Sequence, residues 1–242
     1  MKLESFKNAS FSIIPMTILL GIACEEGLVI AADKLLRHDQ SGTRQESNKI
    51  HYAKDKPFAV CHAGNAYMSM FRSMDDQLQQ IYSESSIEEL IERKIPDFNN
   101  KMNEVLVKQS RAVDFFGIFP VPILCLESLV GAYYDGKFRL YTQKWDETEL
   151  REAHEHYVIM GYPSEKSPTI AIENSSIDQA ISSARRVISE VCEDHPEDYS
   201  GMDIIRLTSD ETKLAYTVAP KDIGKKTYQT PDELLDNINI IE

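Results

Sequence analysis

The chain has 242 residues, 42% of them hydrophobic, and a formal net charge of -13. That is enough apolar material for a sizeable core in one mixed helix and strand domain, and an acidic balance without a basic run argues against general binding of nucleic acid or an anionic membrane. Cys24, Cys61, Cys125 and Cys192 are widely spaced, form no CxxC pair and suggest no disulfide framework, which fits a reducing cytoplasm.

Residues 1–16, MKLESFKNASFSIIPM, hold an apolar stretch of only about four residues with Glu4 in their charged part, short of the roughly 7 to 15 that a secretory signal needs. No window reaches the roughly 18 apolar residues of a membrane span. The chain therefore reads as a leader or removable propeptide over 1–16 and a single domain over 17–242, in the cytoplasm. The run 17–24, TILLGIAC, is almost wholly apolar, Glu25-Glu26-Gly27 makes a turn and 28–32, LVIAA, follows, which predicts a buried hairpin. Strands are also predicted over 50–53 and 58–63, on either side of Lys54-Asp55-Lys56-Pro57. After Gly64 the period changes, and Met68, Phe71, Leu78, Ile81 and Tyr82 suit one face of a helix over 66–83.

A second helix starts at the cap candidates Ser85 and Ser86, and Pro96 should kink or interrupt it before it resumes over 98–108. The strand signal returns in Phe116-Gly117-Ile118-Phe119 and over 121–134, then turns at Asp135-Gly136 into 137–142, a strong hairpin cue. Ile177, Ala180, Ile181, Ala184, Val187, Ile188 and Val191 form a helical stripe over 176–194, capped by Ser175 or Ser176, and strands over 202–207 and 214–218 close the domain. The order lacks regular strand-helix-strand alternation, so two sheets with helices packed outside fit better than a doubly wound parallel sheet.

The chemistry is sought at the ends of the early strands. Thr17 opens the first, Asp33 follows the second and Lys49 precedes the third, with sixteen positions between neighbours. Antiparallel strands can bring such ends together. A threonine hydroxyl needs a base, and a threonine at a freed N-terminus has one in its own amine, with an ordinary pKa of about 7.7 to 8. Lys49 would hold and polarise the hydroxyl, and Asp33 would fix the lysine. His154-Glu155-His156 lacks a third ligand at a suitable spacing and reads as a solvated edge, Cys192 and His195 read as packing and capping at a helix end, and Cys61 reads as a buried strand thiol. No metal or organic cofactor is implied.

The run from Thr17 to Asp33, then Asn48-Lys49-Ile50, then Ala63-Gly64-Asn65, resembles the opening of proteasome β-type subunits, N-terminal-nucleophile hydrolases of the threonine peptidase family. The likeness continues, weakly in the middle, through Phe116-Gly117-Ile118-Phe119, Gly131-Ala132-Tyr133-Tyr134-Asp135, the helix near 176 and Tyr199-Ser200-Gly201. It implies an α+β fold, a four-layer αββα sandwich of two antiparallel sheets between helix layers. It also implies a threonine endopeptidase with Thr17 as nucleophile, Asp33 and Lys49 beside it, the Gly64 N–H at the oxyanion and Ser200 near the amine. By the same resemblance Leu36, Ser47, His51, His62, Ala66 and Met70 would line the pocket for the side chain before the cut bond. Two partly protonated histidines there would favour acidic or polar side chains, increasingly so below about pH 6.5.

The chain departs from the family pattern at Glu197, where an aspartate is usual, at Tyr162 after Gly161, where a serine is usual, and at Met16, where a glycine precedes the threonine. Met16 allows another route, in which removal of an initiator methionine exposes Thr17, as in the simpler bacterial relatives. The partners implied are peptide or unfolded protein substrates, like subunits in a ring, and α-type subunits or an unfoldase. Two other readings stay open: a non-catalytic ring subunit with a structural or assembly role, and a stand-alone amidase.

Overall fold

The computed structural model describes residues 17–38, 43–64, 68–115, 126–161, 176–194 and 200–219. Two five-stranded sheets, every strand pair of them antiparallel, stack face to face. The first has the order β10 (Tyr157–Met160), β1 (Leu19–Cys24), β2 (Gly27–Ala32), β11 (Met202–Leu207) and β12 (Thr212–Val218). The second has the order β5 (Ile50–Ala53), β6 (Phe58–Gly64), β7 (Leu126–Tyr134), β8 (Lys137–Gln143) and β9 (Arg151–Glu152). A separate hairpin pairs β3 (Leu35–His38) with β4 (Thr43–Glu46). Helix α4 (Ile177–Asp194) covers the outer face of the first sheet, and α1 (Met68–Glu84) and α3 (Ile95–Phe115) cover that of the second. This is the α+β, four-layer αββα sandwich.

The near-continuous apolar run at 17–24 follows from burial on both faces. Ile18, Leu20 and Ile22 pack with Ala180, Ala184, Val187 and Ile188 of α4. Leu19 faces the other way, into the layer between the sheets with Leu28, Ile30, Cys61, Leu129 and Leu140. A third core lies beneath α1 and α3, where Phe58, Val60, Val130 and Tyr141 meet Met74, Leu78, Ile95 and Leu106.

Several expected boundaries are refined. The first strand begins at Leu19, so Thr17 and Ile18 lie just ahead of it. The β3–β4 hairpin and β10 carry no clear alternation and were not expected. Ser86 caps α2 (Ile87–Glu89), the start of the second helix, in a capping box with Glu89. Ahead of Pro96 the chain does not break. It widens into a π-helical turn, Leu90–Lys94, and runs on into α3. Proline lacks an N–H and its ring crowds the carbonyl four residues back, and a wider turn accommodates both. The expected strand over 116–125 lies outside the described residues, as does the leader.

At Gly131 side chains of the first sheet close onto the backbone of the second. A Cβ at Gly131 would stand 2.6 Å from Leu28 Cδ2 and 3.0 Å from Ile30 Cδ1 across the gap. Gly131→Ala should therefore lower stability by about 1 to 3 kcal/mol, an overpacking effect, measured by denaturant unfolding. An unchanged midpoint would show that the interlayer has slack.

Candidate active site

Three strand ends meet at one end of the sandwich. β1 pairs with β2 so that Leu19 faces Ala32, and the Asp33 N–H donates to the Ile18 carbonyl at 3.3 Å, which sets Thr17 and Asp33 side by side on the first sheet. Lys49 comes from the second sheet. It immediately precedes β5, and its carbonyl accepts the His62 N–H of β6 at 3.1 Å. Its ammonium crosses between the layers.

Lys49 Nζ donates to Thr17 Oγ1 at 2.9 Å and to both Asp33 carboxylate oxygens at 2.9 Å each. All three ammonium protons are thereby placed. Asp33 also accepts the Ile18 N–H at 2.9 Å and the Leu35 N–H at 3.1 Å. Thr17, Asp33 and Lys49 are all buried. Burial pulls Lys49 below the ordinary lysine value, opposed by Asp33 and, to a lesser degree, by Cys192. Burial raises Asp33, opposed by Lys49 and the two backbone donors. Loss of water drives both shifts, and it leaves an ammonium that gives up or shares a proton more readily than one in water.

The residue after Asp33 ties the neighbouring segments to this point. The Lys34 N–H donates to the Ser200 carbonyl at 3.1 Å, its carbonyl accepts the Ser47 N–H at 2.9 Å, and its Nζ reaches Glu46 at 2.6 Å and Asp203 at 3.4 Å. Ser200 and Ser47 are thus both tied to the backbone of Lys34, the residue next to Asp33. Gly64 ends β6 with φ +141°, a backbone that favours glycine. Leu36 lies on β3 and Met70 in the first turn of α1, while Ala66, Tyr162 and Glu197 lie outside the described residues. Gly161 has a role that spacing did not reveal. It adopts φ +74°, and a Cβ there would fall on the Thr17 carbonyl oxygen, so any side chain would displace the threonine.

His51 and His62 are buried between the second sheet and the helices. His51 Nδ1 pairs with Asp75 Oδ1 of α1 at 3.0 Å, and His62 Nε2 with Asn99 Oδ1 of α3 at 3.1 Å. Neither partner was legible in the sequence, although Asn99 stands among the apolar positions Phe98, Met102 and Leu106. Burial, with a further contribution from His51, lowers the His62 pKa to about 3. The expected protonation of this ring between pH 6 and 8, and the acidic preference built on it, are corrected accordingly for His62. Of the other candidates, Cys61 is fully buried and its thiol is pushed far up by burial, and His154 and His156 are exposed ahead of β10. Among the described residues no cluster of three metal-ligating side chains occurs, and no helix is long and apolar enough to cross a membrane.

No protein-family model and no curated protein matches the chain. A solved structure does: a Gly-1 mutant of Anbu from Hyphomicrobium sp. strain MC1, at a TM-score of 0.58 and 15% identity, over 85% of this chain and 88% of that one. The chain shares its fold with Anbu. The reading as a proteasome β-type subunit is corrected by this match. Thr17, Asp33, Lys49 and Gly64, which carried that reading, all sit at strand ends of the sandwich, so they follow the fold and do not single out that subunit type.

His62 also makes a stability signature. Its ring binds a proton below about 6.5 in the unfolded chain but only near 3 in the folded one, so the unfolded state takes up the extra proton between those values. Stability from this ring is fully present above pH 6.5 and is lost as pH falls toward 3, with a slope of up to about 1.4 kcal/mol per pH unit. Replacing it in His62→Phe should flatten the dependence of unfolding free energy on pH in that window by close to one proton. Equal slopes in the two proteins would show that the ring is accessible to protons in the folded state.

Proposed function

We propose that the chain is a threonine endopeptidase that acts with Thr17 at its N-terminus. The reading rests on one observation, the Lys49 ammonium 2.9 Å from Thr17 Oγ1 and from both oxygens of a buried Asp33. A lysine held in this way donates to the hydroxyl oxygen and lowers the cost of negative charge there as the proton leaves.

Cleavage between Met16 and Thr17 frees an α-amine whose ordinary pKa, about 7.7 to 8, suits a base at neutral pH. The amine takes the Oγ1 proton as the oxygen attacks the peptide carbonyl. The oxyanion of the tetrahedral intermediate accepts from the Gly64 N–H, an interaction typically worth about 2.7 to 4 kcal/mol in such sites. The ammonium then returns the proton to the departing amine, the C–N bond breaks and an ester forms on Thr17. Water, deprotonated by the same amine, releases the acid. Ser200 would steady the amine. Before release, the Thr17 nitrogen is an amide and cannot act as the base.

Association with like subunits in a ring belongs to the same proposal. Trp145, Leu214 and Val105 are the large apolar side chains exposed among the described residues, and such contacts would cover surface of that kind. The solution mass by light scattering reads it directly.

Intact mass and N-terminal sequencing test the central step. Peptide-cleaving preparations should begin at Thr17, and Lys49→Ala should lower kcat by at least about a hundredfold with the elution volume unchanged. Full activity from chains that all retain Met16, or from Lys49→Ala, would refute the proposal.

A further inference from the structure

A row of buried polar side chains crosses the helix-facing side of the second sheet. His62 of β6, Ser128 of β7 and Gln143 of β8 lie in it in register, and His51 of β5, opposite Val60, lies diagonally next to His62. All four are buried, and the His51 and His62 ring centroids are 5.8 Å apart. Among the described residues, three polar atoms of this row have no partner: His51 Nε2, His62 Nδ1 and Ser128 Oγ.

The hydrogen-bond network fixes what those atoms can do. Gln143 Nε2 donates to the backbone carbonyl of Glu147 at 3.0 Å, which settles the orientation of its amide, since a carbonyl only accepts. Gln143 Oε1 then faces Asn99, which presents Nδ2 to it at 2.8 Å and leaves Asn99 Oδ1 toward His62 at 3.1 Å. His62 Nε2 is therefore the protonated nitrogen, and with this ring neutral down to about pH 3 its Nδ1 carries a bare lone pair. His51 Nδ1 donates to the Asp75 carboxylate, so in the neutral ring its Nε2 is a lone pair too. Among the described residues these two buried nitrogens have no hydrogen-bond partner. The Ser128 hydroxyl has one proton and satisfies at most one of them. Buried acceptors of this kind are ordinarily paired, and leaving them bare is costly.

The row adjoins the candidate active site. His51 lies two residues beyond Lys49, and the His62 backbone N–H holds the Lys49 carbonyl at 3.1 Å. Both histidine segments are thus joined through the Lys49 backbone to the residue whose ammonium meets Thr17 Oγ1. We infer that the His51–His62 acceptor pair selects substrates with a primary carboxamide side chain, glutamine or asparagine, before the cut bond. The inference rests on the hydrolase reading and adds the substrate class. A carboxamide offers two N–H donors, one for each ring nitrogen. A carboxylate of the same shape sets oxygen lone pairs against nitrogen lone pairs, and an aliphatic side chain leaves both acceptors bare. Selectivity built on donors is strong because the mismatched substrate leaves buried polar groups unpaired.

Fluorogenic peptides differing only in Gln, Glu, Met or Leu before the cut bond test this at pH 8. The Gln peptide should exceed Glu, Met and Leu in kcat/KM by at least about tenfold, and His51→Phe should bring the Gln-to-Met ratio toward one. Equal rates, or a preference for Glu or an apolar residue, would overturn the inference even if Thr17 remained the nucleophile. If no peptide is cleaved, the hydrolase reading fails, and imidazole 15N NMR decides the pocket alone. N-acetylglutaminamide should then shift the His62 Nδ1 resonance at concentrations where N-acetylglutamate does not, and equal responses to both would overturn it.

Discussion

A lysine ammonium buried without water is tolerable only when each of its protons has a fixed acceptor, and this constraint organises one end of the molecule. Lys49 meets it with Thr17 and the two oxygens of Asp33. Asp33 in turn needs the Ile18 and Leu35 N–H groups, because a buried carboxylate with one partner would leave lone pairs unsatisfied. The set closes only if the start of β1, the end of β2 and the start of β5 arrive together. Removing one member of a buried pair typically costs about 3 to 5 kcal/mol, so the charge pair both depends on the strand ends and holds them.

The sandwich supplies that convergence through packing unrelated to chemistry. β1 is buried on both faces, between α4 and the second sheet, so its register cannot slip without exposing Leu19 or Leu20. Thr17 is fixed because the strand it precedes is fixed. Gly161, at the far end of β10, completes the enclosure by bringing backbone against the Thr17 carbonyl where a side chain would not fit. Lys34 extends the order outward to Glu46 and Asp203. Position within the site is therefore set by the core, and electrostatics act on groups already in place.

The sandwich class was legible because its strands carry strong local signals: the apolar run at 17–24, the Asp135-Gly136 turn and the stripe from Ile177 to Val191. The meeting of Thr17, Asp33 and Lys49 was legible through the family resemblance, since their spacing alone allowed antiparallel strands to bring such ends together without requiring it. What escaped depends on partners distant in sequence. β3, β4 and β10 are short and lack alternation, so their pairing comes from neighbours and not from their own pattern. The two histidines were visible as residues, but Asp75 lies 24 positions and Asn99 37 positions from the rings they orient, and burial set by α1 and α3 keeps His62 neutral. The resemblance to proteasome β-type subunits rested on residues that the fold itself places at strand ends, which is why it reached the fold and misnamed the relative.

The account turns on whether the Thr17 hydroxyl is the group that this buried pair activates. Incubation of the Thr17-initiated protein with a peptide vinyl sulfone, followed by mass-spectrometric peptide mapping, reads it directly. One adduct per chain should appear on Thr17 and be lost in Lys49→Ala protein that retains the wild-type circular dichroism spectrum. Absence of an adduct on Thr17, or labelling confined to Cys192 or another thiol, would contradict the account.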